Sequence, residues 1–266
     1  MKKNNLTTFS LVFTGLMIAI SVMLKFATFY IPIGGVPILR FDFFGPFEKL
    51  PAIFFGPIIG GISGALIDVI GYFLANKTFV FYIPHLTISA FFNVLLFALL
   101  WQKFKHVSNK VLERIYLIAT ILIGVFGIIN TIYVTYFKTS SWAEFILNFA
   151  NDQQLYFTIY CIICSVIGLI LYIINKWILD KVTHKAINEY FFKLFIALAI
   201  SGILFTTINT QILISTVSTL SNKSFILFLI PRLLGKIVEI FFDAYVLALL
   251  IHITRQLLNK SRFNKA

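Results

Sequence analysis

Apolar residues run along the chain in long blocks, separated by short intervals rich in Pro, Gly, Asn and Lys. A helix needs roughly 20 such residues to cross a bilayer. The blocks predict eight spans, at about 9–31, 43–57, 60–75, 84–102, 112–137, 154–179, 190–216 and 228–253. None shows the period-2 alternation that barrel strands need. The expected fold is therefore an all-α integral membrane protein, a polytopic helical bundle forming one domain over 1–266. Pro and Gly in "IPIGGVPILRFDF" exclude regular helix there, and an outer loop is expected. "FFGPIIGG" reads as a tight cytoplasmic turn. "ANKTFVFYIP" reads as a second outer loop, and the interval holding Trp142 and Glu144 as a third. Several spans are short or broken by Gly and Pro toward the outer face, so irregular backbone is expected to line a cavity there.

Composition sharpens this picture. The chain is 59% hydrophobic and 12% charged, about half the charge of a typical soluble domain. A net charge of +12 raises nucleic acid as a partner, but fourteen of the 22 Lys and Arg residues fall in four clusters. These are Lys2 and Lys3; Lys103, Lys105, Lys110 and Arg114; Lys176, Lys181, Lys185 and Lys193; and Arg255, Lys260, Arg262 and Lys265. Placing all four in the cytoplasm satisfies the positive-inside rule and puts both termini there. The basic excess is thus a topology signal with affinity for anionic lipid, not a nucleic-acid surface. The apolar run after Lys2 and Lys3 is too long for a cleaved leader and is read as a retained first span. Cys161 and Cys164 form a CxxC inside an apolar helix; zinc or redox chemistry needs more ligands or a soluble context, so packing is expected of them.

The last span carries Arg232, Lys236, Glu239 and Asp243. Spaced i, i+4, i+7, i+11, they fall within a sector of about 60° on one helix face. Intramembrane charge is expensive and marks a functional candidate. Lys236 and Glu239 pair locally at i, i+3, whereas Arg232 with Lys236 and Glu239 with Asp243 are like-charged neighbours that destabilise an isolated helix. Neighbouring helices or a ligand must compensate. Arg232 and Lys236 lie toward the outer end, which suits an anionic ligand. Glu239 and Asp243 lie deeper, as a structural network together with Asp68. A purely structural ion network explains the same stripe.

Other polar groups belong to the same outer half: Lys25, Arg40, Asp42, Glu48, Lys49, Asn209 and Gln211. "FVFYIPHLTIS" interleaves Phe79, Phe81 and Tyr82 with His85, an arrangement that stacks a flat ring and hydrogen-bonds its edge. An interfacial aromatic belt accounts for it equally. Gly15 with Ala19, and Gly60, Gly64, Asp68 and Gly71, form stripes for close helix packing. P-loop, HExxH and GxSxG signatures are absent from the sequence, so no enzyme, metal or cofactor is expected. Uphill movement of a solute would draw on a partner or an ion gradient.

"FFGPIIGGISGALIDVIGYF" resembles the second-to-third span signature of the substrate-binding S components of energy-coupling factor (ECF) transporters. "VMLKFATFYIP", "FVFYIPHLTISAFFNVLLF" and "INTQILIS…LIPRLLGKIVEIF" are similar to the folate-specific members of that family. The likeness covers roughly 1–105 and 188–255. Three features depart from it: 106–187 reads as an inserted pair of spans in a six-span core, Lys25 stands where the family often has Arg, and "FEKLP" replaces a more apolar run.

The resemblance implies a vitamin captured from outside with high affinity. Delivery would pass through a transmembrane coupling protein and two cytoplasmic ATPases, which agrees with the missing P-loop. Folate or a reduced folate is the expected ligand. Lys25, Arg40, Phe79, Tyr82, His85, Asn209, Arg232 and Lys236 are the expected binding residues, and Gly15, Ala19, Gly61 and Ala65 the expected coupling-protein contact. Another vitamin or precursor (riboflavin, thiamine or a queuosine precursor) is the alternative within this class. Outside it stands a lone ion-coupled transporter relaying protons through Asp68, Glu239 and Asp243.

Overall fold

A computed structural model describes residues 8–33, 36–75, 81–136, 154–179, 185–217 and 225–263. Helix α1 spans Thr8–Lys25. It is followed by two antiparallel strands, β1 (Phe29–Ile33) and β2 (Val36–Phe41), which pair Tyr30 with Arg40 and Phe29 with Phe41. Then come α2 (Gly45–Phe55), α3 (Pro57–Ala75), α4 (Pro84–Phe104) and α5 (Asn109–Tyr136). Helix α6 (Gln154–Ile173) ends in a π-turn, Ile174–Leu179. The long helices α7 (Lys185–Thr216) and α8 (Phe225–Phe263) complete the bundle. The polytopic helical architecture expected from the sequence is what the chain adopts.

Two elements differ from expectation. The first helix stops at Lys25, six residues short of the predicted end at 31. The segment "FYIPI" forms the first strand of the hairpin instead, its Phe, Tyr and Ile suiting a strand as well as a helix. Helix α2 has only 11 residues, about 16 Å at 1.5 Å per residue and half of a ~30 Å hydrocarbon core. Six helices among the described residues are long and apolar enough to cross a membrane. α6 adds a shorter apolar stretch, Cys161–Ile173. Between α2 and α3 the chain reverses at Gly56, whose φ of 99° lies where a Cβ is disfavoured.

Helix α7 is the centre of the bundle: 61% of its apolar stretch is buried, against 22% for α1 and for α5. The outer faces of α1 and α5, with Leu11, Val12 and Leu16 or Ile118, Leu122 and Val125, are exposed and suit lipid. In lipid no hydrophobic force draws helices together, so close packing and interhelical hydrogen bonds must do it. The α5–α6 pair is fixed in this way. Tyr116 on α5 is fully buried, with its ring against Phe195, Phe192, Phe191 and Phe241. Its hydroxyl donates to the Gly168 carbonyl of α6 at 2.8 Å, and the Ser165 hydroxyl donates to the Thr120 carbonyl at 2.9 Å. Cys161 and Cys164 are buried in this interface, Cys161 against Gly127.

Candidate functional site

The charged stripe of α8 faces inward, onto α2, α7 and the end of the hairpin. There is room for Lys236 because α7 carries Gly202 opposite it; a Cβ at that position would stand 3.1 Å from Lys236 Cε. A cavity of about 240 Å³ opens among α1, α2, α3, α4, α7 and α8. Among the described residues its walls carry five carboxylates (Asp42, Glu48, Asp68, Glu239 and Asp243) and four cations (Lys25, Lys49, Arg232 and Lys236). Phe44, Phe205 and Phe228 supply aromatic faces, and Asn93 and Asn209 amides.

Most of these charges are held by partners. Lys236 Nζ donates to Glu239 Oε2 at 2.7 Å, the local pair expected from the sequence. The other oxygen of Glu239 accepts the Asp42 backbone N–H at 3.2 Å, and Asp42 accepts a hydrogen bond from the Thr28 hydroxyl at 3.1 Å. The hairpin exit is thereby tied to the middle of α8. On α2, Lys49 donates to Glu48 at 3.2 Å, and both side chains are buried. Lys25 leaves the end of α1, passes beside Gly71, donates to the Ile67 carbonyl at 2.9 Å and reaches Asp68 at 3.8 Å. Its ammonium also stands 5.2 Å from the centre of the Phe44 ring. A Cβ on Gly71 would overlap the Lys25 stem.

Asp243 has a different kind of support. Its carboxylate sits against Gly45, in the first turn of α2, and a Cβ on Gly45 would overlap it. That turn has no side-chain cap. Unpaired N–H groups and the positive end of the helix dipole favour a negative charge there, and Lys49 and Lys236 line the same cavity. Arg232 lies higher on the stripe, with its guanidinium carbon 5.5 Å from the centre of the Phe228 ring. Most of the ions are set beside an opposite charge, a helix terminus or a ring face, as charges within a membrane bundle require.

Of the expected binding residues, Lys25, Asn209, Arg232 and Lys236 converge on this cavity. Tyr82 is not among its lining residues. Its hydroxyl meets Thr87 at 2.5 Å, Thr87 donates to Asp68 at 2.6 Å, and its ring stacks on Phe73. His85 is exposed and lines a separate apolar groove with Phe92 and Ile208. Arg40 belongs to β2, opposite Tyr30. Phe79 lies outside the described residues, as do Trp142 and Glu144. Asp68, Glu239 and Asp243 all reach the cavity wall. Among the expected coupling contacts, Gly15 and Ala19 are exposed on α1, whereas Gly61 is buried under the Phe91 ring and Ala65 is half-buried.

Sequence reasoning missed Asn93, Thr87 and Thr206. Asn93 was open to discovery, as an amide in the otherwise apolar run "ISAFFNVLLFALLW", the kind of intramembrane polar group that marks a site. The two threonines carry no such signal, because their hydroxyls bond within helices as readily as across them.

A family model described as "ECF transporter, substrate-specific component" matches residues 9–179. The matched stretch includes α5 and α6 and ends before α7 and α8. No curated protein and no solved structure matches the chain.

Proposed function

Because the chain belongs to the family of ECF transporter substrate-specific components, we propose that it captures a carboxylate-bearing vitamin, folate or a reduced folate, in the charged cavity. The vitamin enters at the hairpin end and leaves through ATP-driven partners, a transmembrane coupling protein and two cytoplasmic ATPases. The observation that carries this reading is the cavity itself: aromatic faces, amides and an arginine gathered inside a membrane bundle. Its volume lies just below the ~300–1,000 Å³ usual for small-molecule sites.

Arg232 is the residue we assign to the glutamate tail, since a guanidinium presents two parallel donors to a carboxylate. Lys25 and Lys236 already serve Asp68 and Glu239 and contribute positive field rather than first contact. Asn209 faces the ring. The exposed Gly15 and Ala19 on α1 leave a flat surface for close approach of the coupling protein. The basic clusters support cytoplasmic termini.

Reconstitution tests the division of labour. The purified chain alone in vesicles should bind folic acid without accumulating it, and added coupling and ATPase subunits should make uptake ATP-dependent. Concentrative uptake by the chain alone, driven by a proton gradient, would refute the proposal and favour a relay through Asp68, Glu239 and Asp243.

A further inference from the structure

Among the described residues, three side-chain oxygens in the cavity wall stand out. Asn93 Oδ1 on α4 and Asn209 Oδ1 on α7 are buried and have no hydrogen-bond partner among the described residues. Asp243 Oδ1 on α8 shares that condition. All three residues line the one cavity, and all three atoms are acceptors. Buried carbonyl oxygens are almost always paired, so such atoms point to something that pairs them. The formal charges of the described residues lean the same way, with five carboxylates against four cations. A ligand bearing only acceptors and carboxylates leaves these oxygens bare; one that brings N–H donors satisfies them.

The two amides also have a defined spacing. Ile83, at the start of α4, packs with Leu213 and Val217, at the end of α7. Further along α4, Phe92 and Leu96 share a groove with Phe205. The helices therefore run antiparallel, and Asn93 lies about one turn, roughly 6 Å, deeper than Asn209. Phe44, Phe205 and Phe228 line the space beside them, and aromatic faces of this kind favour a flat ring.

We infer that Asn93 and Asn209 together read the N–H edge of a flat nitrogen heterocycle lying between α4, α7 and α8. This rests on the reading of the cavity as a vitamin site and narrows it to ligands whose ring carries ring N–H or amino donors. Asn93 and Asn209 are then the specificity residues, and Arg232 holds whatever anionic tail the ring bears.

The test uses the full chain purified in detergent and three probe pairs. Folic acid is titrated against 2-desaminofolic acid, riboflavin against 3-methylriboflavin, and thiamine against 4′-desaminothiamine. We expect at least one parent to bind and its partner, short of one donor, to bind tenfold or more weaker. Asn93→Leu and Asn209→Leu should bring the parent down toward the affinity of its analogue and leave the analogue unchanged. Asn93→Asp and Asn209→Asp keep the acceptor and should keep the preference, which serves if a leucine variant fails to fold. Equal affinity of parent and analogue in the wild-type protein overturns the inference without any variant. Folded leucine variants that weaken both probes alike, or neither, also overturn it while leaving the vitamin site standing. Binding of none of the three parents refutes the vitamin reading and this inference with it.

Discussion

Removing the Arg232 guanidinium is the sharpest perturbation of the cavity. Among the described residues five carboxylates face four cations there, so Arg232→Ala raises their formal negative excess from one charge to two. A carboxylate-bearing ligand then loses its bidentate partner and enters a more negative field. One charge-assisted hydrogen bond shielded from water contributes about 1.5–3 kcal/mol, and 1.4 kcal/mol is about tenfold in affinity. Folic acid should bind Arg232→Ala about ten- to a hundredfold more weakly. Arg232→Lys should recover only part, because an ammonium does not present two parallel donors. The contact of Arg232 with the Phe228 ring contributes separately to stability, on the order of 0.5–1 kcal/mol. Arg232→Met keeps the apolar stem and should match the alanine variant in affinity. Isothermal titration with folic acid, and with a pterin lacking the glutamate tail, separates the terms: the tailless ligand should be nearly indifferent to position 232. Wild-type affinity for folic acid in folded Arg232→Ala would show that the arginine is structural and that the tail assignment is wrong.

Two further outcomes concern packing. Gly45→Ala places a methyl group where the Asp243 carboxylate sits, and such overpacking costs about 1–3 kcal/mol; the ligand-free protein should melt earlier, and an unchanged melting temperature would argue against the close approach of α2 and α8. Tyr116→Phe removes the hydrogen bond to Gly168, worth about 1 kcal/mol. Its melting temperature should fall by about 2–4 °C with vitamin affinity unchanged, whereas a large loss of affinity would mean that the α5–α6 pair shapes the cavity.

The helices themselves were legible because lipid demands long apolar runs with internally bonded backbone, and few other structures satisfy that demand. The stripe on α8 was legible for the same reason: at 3.6 residues per turn, Arg232, Lys236, Glu239 and Asp243 have one face to share. The end of α1 was hidden, since "FATFYIPI" is as apolar as a helix and hydropathy does not separate strand from span there. The 11-residue length of α2 was hidden by the continuous apolar run into α3. Partner choice was hidden most. That Lys25 meets Ile67 and Asp68 of α3 depends on how two helices cross, which one sequence does not reveal. His85 and Tyr82 sit in a motif whose spacing does not reveal which way each will face, one in the first turn of α4 and the other just before it.

The bond between the Asp42 backbone and Glu239 joins residues 197 positions apart. At ribosomal speeds of roughly 5–20 residues per second, the first exists for roughly 10–40 s before the second is made. During that interval five ionisable residues destined for the cavity are already in the nascent chain. Their pairing is suited to the wait: Lys25 has Asp68, Glu48 has Lys49, and Asp42 has Thr28, all from the first 70 residues. α8 brings its own Lys236–Glu239 couple when it arrives. Assembly of the cavity is thus a late joining of two halves that are already nearly neutral, which spares the insertion machinery from holding unmatched ions in lipid.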